Sequence, residues 1–169
     1  ELILRNPKPV IAEVAGTATA AGCQLVASCD LAMASNKVKF ATPGVNLGLF
    51  CSTPMVALSR NVSRKHAMEM LLSGDMVDAS RAEQIGLINR AFNPDQLTSE
   101  TMAMALKIAS KSAMTIAIGK RAFYEQAEMP LNEAYAYTSQ VMTENMLTRD
   151  AEEGIGAFLG KRTPEWQDQ

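Results

Sequence analysis

The chain has 169 residues, of which 47% are apolar and 20% charged, with a formal net charge of −2. That length buries one sizeable core, and the near-neutral charge offers no footing for a nucleic-acid partner or an acidic membrane surface. No apolar run reaches the roughly 18 residues that a membrane-spanning helix needs.

Residues 1–6 read as the end of a helix that Asn6-Pro7 breaks, so the sequence is expected to enter a longer protein part-way. The apolar run over 9–15 predicts a buried strand, small residues follow from Ala15 to Gly22, and a helix is expected over 20–28. Short strands are expected over 31–34 and 39–41, on either side of a turn at Ser35-Asn36-Lys37. Thr42-Pro43-Gly44 reads as a turn. Strand, helix and strand at this spacing predict an α/β unit with a crossover.

Helices are expected over 55–60 and 65–72, the second closed by Gly74-Asp75. Ser80 is expected to cap a short helix ending near Gly86, and 87–92 reads as a last strand. From Asp95 onward the pattern is helical over 96–111, 114–127, 131–147 and 151–159, with Pro130 beginning the third. The acidic residues Asp75, Asp78, Glu83, Asp150, Glu152 and Glu153 read as helix ends and solvated faces.

Met102, Met104, Leu106, Ile108, Met114, Ile116 and Ile118 make this helical part apolar on more than one face. Such helices need neighbours on several sides, either their own core or another subunit. Cys23, Cys29 and Cys51 are odd in number and lie in apolar segments, which fits a reducing compartment without a disulfide framework. They lack metal-ligand spacing and His66 is the single histidine, so no metal site is expected. A Ser/His or Cys/His nucleophile pair has weak support for the same reason.

The most informative stretch runs from Pro9 through Val10-Ile11-Ala12-Glu13-Val14 to Ala20-Ala21-Gly22-Cys23-Gln24-Leu25. Small residues let a helix N-terminus lie open, so that its N–H groups face an anion or a polarised carbonyl. Together with Cys29-Asp30 and Phe40-Ala41-Thr42-Pro43-Gly44, the stretch resembles the enoyl-CoA hydratase/isomerase (crotonase) superfamily. The resemblance covers nearly the whole chain but only the second half or so of a full family member.

The resemblance implies an α/β crotonase (ClpP/crotonase-like) fold of repeated β-β-α units with a C-terminal helical oligomerisation region. Residues 1–94 would be the C-terminal part of that core, without its N-terminal part, and 95–169 the helical trimerisation region. It also implies an acyl-CoA thioester as substrate or ligand, no covalently bound cofactor, a homotrimer or hexamer, and neither nucleic acid nor membrane as partner. The expected location is cytoplasmic, or the mitochondrial matrix in a eukaryote.

By position the backbone N–H of Ala21 would be an oxyanion donor to the thioester, with the second donor on an earlier segment. Gln24 and Gly44 fall where active hydratases carry two glutamates, and neither an amide nor a glycine exchanges protons near neutral pH. Each acid–base group contributes about 10²–10⁴-fold, so efficient hydration is not expected. Thr19, Ala20, Gly22, Pro43, Leu47, Cys51 and Ser52 would line the substrate site. Phe158 and Lys161, in the run Glu152–Arg162, would contact coenzyme A with a ring and a cation. The alternatives are a lyase or isomerase using another acid–base group or a bound anion, and a non-catalytic assembly subunit.

Overall fold

A computed structural model describes residues 2–169. The chain forms two compact units, one of 10–105 and one of 1–9 with 106–169.

The first unit carries two small sheets. In one, β1 (Ile11–Val14), β3 (Leu31–Ser35) and β6 (Arg90–Phe92) lie parallel in the order β1-β3-β6. In the other, β2 (Ala18–Thr19) runs parallel to β4 (Lys39–Ala41), which pairs antiparallel with β5 (Val77–Asp78). α2 (Ala21–Ser28) lies in the crossover from β1 to the parallel β3 and packs on α3 (Ser52–Asn61). α4 (Arg64–Ser73) and α5 (Ala79–Gln84) follow before β6.

The strands expected around 9–15, 31–34 and 39–41 are present, as is the helix over 20–28. The expected last strand is shorter. Gly86 turns with φ 82, and Leu87 and Ile88 then enter the core as irregular chain. Asn89 is the first residue to join the sheet, donating its N–H to the Ala32 carbonyl at 2.8 Å and accepting the Ala32 N–H on its side chain at 2.7 Å. Ser80 is not the cap of the short helix. Asp78 caps it, accepting the Arg81 N–H at 2.7 Å, because a carboxylate one residue before the helix reaches the free donors of the first turn.

The core between these elements holds Phe40, Leu58, Met70 and Leu71, all at least 98% buried. A fully buried side chain of this size contributes roughly 1.5–3 kcal/mol. Two polar ties fix the edges. Asp30 accepts the Val10 N–H at 2.7 Å where β1 begins. The Asn61 amide donates to the Ala27 carbonyl at 2.7 Å, which satisfies a carbonyl at the open end of α2.

α6 (Leu97–Ala109) begins in the first unit. The second unit contains α1 (Leu2–Arg5), α7 (Ala113–Gln126), α8 (Leu131–Met146) and α9 (Arg149–Leu159). Ser112 caps α7 through the Thr115 N–H and Thr148 caps α9 through the Ala151 N–H. The Lys120 ammonium donates to the Ile3 and Lys8 carbonyls, tying α1 and the residues after it to α7.

Asp150 departs from the expectation of a solvated face. It is 2% exposed. The last residues fold back over it, so its carboxylate accepts the Gln167 and Asp168 N–H groups at 2.8 and 3.1 Å. The Trp166 indole donates to the Ser110 carbonyl at 2.9 Å. Its ring lies 3.2 Å from where a Cβ on Gly154 would stand, so a side chain there would press on the indole.

Candidate functional site

The site residues predicted near the first helix gather where β2 meets β4. The register sets Ala18 against Phe40 and Thr19 against Ala41. Ala20 comes next, at φ 48 and ψ −113, a conformation that alanine rarely adopts. Both of its backbone groups are held. Its N–H donates to the Ala41 carbonyl at 2.9 Å, and its carbonyl accepts the Gln24 N–H at 2.9 Å.

This turn starts α2 abruptly. Gln24 is the first residue whose N–H closes a helical bond onto Ala20. The N–H groups of Ala21, Gly22 and Cys23 come before it, and no side chain caps the helix start. Ala21 is exposed there and Gly22 is half-buried. An exposed, uncapped first turn is a ready donor to a carbonyl oxygen that gains negative charge.

The Gln24 side chain is half-buried and makes no hydrogen bond within the described residues. Gly44 lies on the turn that follows β4, a short 3₁₀ segment Pro43–Leu47 begun by Pro43. Pro43 is half-buried, and Leu47 is 78% exposed at the end of the segment. Cys51 precedes α3 and its sulfur packs against Gly44. Ser52 opens α3, exposed, with its hydroxyl turned to the Phe50 carbonyl at 3.4 Å.

The thiol of Cys23 is pushed up to about 11, first by burial and then by the neighbouring Cys51. A thiol so placed stays protonated and is a poor nucleophile. Thr42 was not among the expected site residues. It is fully buried between Ala41 and Pro43, and its hydroxyl has no partner in the described residues. An unpaired buried hydroxyl costs about 1–3 kcal/mol. A Thr lodged between an apolar strand and a Pro-Gly turn was its only sequence signal.

Phe158 and Lys161 belong to the second unit. Phe158 is 82% exposed on the last turn of α9. Lys161 ends that helix at φ 51, where glycine is the usual residue. Its N–H donates to the Phe158 carbonyl, and the Arg162 N–H donates to the Ala157 carbonyl, which closes the turn. The same unit holds a cavity of about 770 Å³ lined by Leu4, Pro7, Met114, Ile118, Arg121 and Tyr124 among others. None of the expected site residues lines it. Among the described residues no group of three or more His, Cys, Asp or Glu could hold a metal, and no helix is long and apolar enough to cross a membrane.

The sequence profile of the enoyl-CoA hydratase/isomerase family matches residues 1–169. Enoyl-CoA hydratase domain-containing protein 3 of Mus musculus, named as mitochondrial, is 53% identical over 165 residues, which is 98% of this chain and 55% of that protein. The crystal structure of an enoyl-CoA hydratase from Mycobacterium smegmatis matches with a TM-score of 0.95 at 54% identity, over 97% of this chain and 64% of that one. The structure of human enoyl-CoA hydratase domain-containing protein 3 matches with a TM-score of 0.94 at 55% identity, over 98% of this chain and 65% of that one. The chain thus spans about 55% of the length of such curated relatives. The profile match, these identities and the turn built at Ala20 agree: the chain belongs to the enoyl-CoA hydratase/isomerase family.

Proposed function

We propose that the full-length protein binds an acyl-CoA thioester, with its carbonyl oxygen on the Ala21 N–H, and does not hydrate it efficiently. The observation that carries this reading is the pairing of an open donor with absent acids. Ala20 is forced into an unfavourable turn that leaves the Ala21 N–H exposed. Gln24 and Gly44, at the positions where the family carries its two acids, have no proton-transfer group. One such backbone donor is worth about 3 kcal/mol to a developing oxyanion. Thr19, Gly22, Pro43 and Cys51 form the walls, and the exposed Leu47, Leu49 and Phe50 offer apolar surface to an acyl chain. Coenzyme A is ligand or substrate and not a resident cofactor, and Phe158 and Lys161 contact it across a subunit boundary. In a eukaryote the protein acts in the mitochondrial matrix, in line with the mouse relative, which is named as mitochondrial; otherwise it acts in the cytoplasm.

The test is hydration of crotonyl-CoA by the full-length protein, followed by loss of enoyl absorbance. A rate far below the ordinary kcat of roughly 10 s⁻¹ is expected. A rate at that level would overturn the reading and point to another base.

The non-catalytic assembly subunit is the second reading, favoured by one observation. Phe123, Met142, Met146, Leu147, Phe158 and Leu159 are each more than 60% exposed on or beside α7–α9. Binding of butyryl-CoA separates the two readings, because an assembly subunit has no need of it.

A further inference from the structure

The chain after Gly44 folds back on it. The Leu49 N–H donates to the Gly44 carbonyl at 3.0 Å and the Gly48 N–H to the Val45 carbonyl at 3.3 Å. Gly48 makes the reversal at φ 72, a conformation open to glycine at little cost. The return brings Cys51 to the start of α3, 8% exposed, in the same core cluster as Cys23.

The room above Gly44 is therefore full. A Cβ on Gly44 would stand 2.9 Å from the Cys51 sulfur, 2.9 Å from the Leu49 carbonyl oxygen and 3.2 Å from the Cys51 nitrogen. Real Cβ atoms do not make contacts of 2.9 Å, so any side chain at position 44 forces the loop to move. Two of the three obstacles are backbone, so trimming Cys51 removes only the first. The space of a position-44 side chain is taken by the Cys51 side chain together with the Leu49 and Cys51 backbone.

We propose that Cys51 is a specificity-determining residue, whose side chain occupies the place of a position-44 side chain and commits the site to holding a thioester with no acid on that side. This rests on the acyl-CoA reading given above. It adds that the acid cannot be returned by substitution at positions 24 and 44, because the loop leaves it no room. It also leaves little space for an anion recruited beside Gly44.

The experiment is a double-mutant cycle in the full-length protein, read by thermal unfolding and by crotonyl-CoA hydration. Gly44→Ala is expected to lower the unfolding midpoint clearly and Cys51→Ala to lower it less. The double variant is expected to recover part of the Gly44→Ala loss, since residues that share space are not additive. Strict additivity would overturn the proposal. If Gly44→Ala fails to fold, a folded double variant supports the proposal and an unfolded one refutes it. In the second arm, folded Gln24→Glu/Gly44→Glu is expected to hydrate no faster than Gln24→Glu. A gain of about tenfold or more, which is about 1.4 kcal/mol of barrier, would overturn the proposal. Absence of butyryl-CoA binding by the unsubstituted protein would instead remove the thioester reading, and with it the role of Cys51 in specificity, while the coupling still decides the shared space.

Discussion

The Ala20 N–H donates to the Ala41 carbonyl at 2.9 Å, and this bond pins Ala20 at φ 48 and ψ −113 at the mouth of α2. The end of β4 thus holds the turn from which the candidate oxyanion donor projects. Strain of this kind costs about 1–3 kcal/mol and persists only where the surroundings over-determine it.

Replacing Ala20 with glycine relieves that strain. Glycine adds about 0.5–1 kcal/mol of chain entropy to be lost on folding, so the net expectation is a gain of about 1 kcal/mol. Denaturant unfolding of Ala20→Gly checks it. A clear loss of stability would show that Ala20 is not strained.

Ala21→Pro tests the donor itself. Ala21 is the first residue of α2, the position where a helix tolerates proline best. The substitution removes one N–H and leaves the side-chain pocket in place. Butyryl-CoA affinity is expected to fall by about tenfold or more while affinity for free CoA holds. Calorimetry reads both, and circular dichroism confirms the helix. Equal losses for the two ligands would refute an oxyanion role.

Acid should loosen the second unit. The Arg162 guanidinium, bidentate on Glu153, holds that carboxyl down at about 2, helped by the Glu165 N–H. The Ser112 hydroxyl and then the Gln167 N–H hold Asp150 below the usual range too. Carboxyls lowered in the folded state stabilise it above their unfolded value, near 4. That stabilisation fades as pH falls from there toward about 2. Unfolding midpoints of the wild type should drop through that window, and Glu153→Gln should flatten the drop. An unchanged acid limb in Glu153→Gln would show that the pair is not felt.

Cys23 should resist alkylation. Its thiol is raised to about 11 in the fold, above the ordinary value near 8.5. The fold therefore gains from the protonated thiol below about pH 8.5 and loses that gain as pH rises through about 11. Iodoacetamide at pH 8 should label Cys23 in denatured protein and spare it in native protein. Rapid native labelling, read by mass spectrometry, would contradict the burial.

The helices α7–α9 should assemble the full-length protein into a trimer or hexamer, because Phe123, Met142, Leu147 and Phe158 leave a broad apolar face uncovered. Light scattering at micromolar concentration decides. A monodisperse monomer would refute it.

Helix periodicity is local chemistry, and so the sequence by itself determined most of the helical plan. The helices expected over 96–111, 114–127, 131–147 and 151–159 are α6 to α9, within a few residues at each end. The crossover and the family were legible for a related reason. A Val-Ile-Ala strand, an Ala-Ala-Gly turn and a Phe-Ala-Thr-Pro-Gly end are short motifs whose geometry follows from residue size.

Tertiary structure alone decided the rest. β2 and β5 are two residues each, too short for any alternation to show, and exist because β4 pairs with both. Ala20 carries no sign of positive φ in its side chain, and it is held there by its bonds to Ala41 and Gln24. Asp150 looks like any acid in a first helical turn until the chain returns from 17 and 18 residues away to bury it. Gly44 likewise reads as an omitted acid, and it takes the folded loop to set Cys51 in that place. The strands, Ala20 and Asp150 are each fixed by a partner distant in sequence, and Gly44 by the return of its own loop; neither kind of contact leaves a periodic pattern to read.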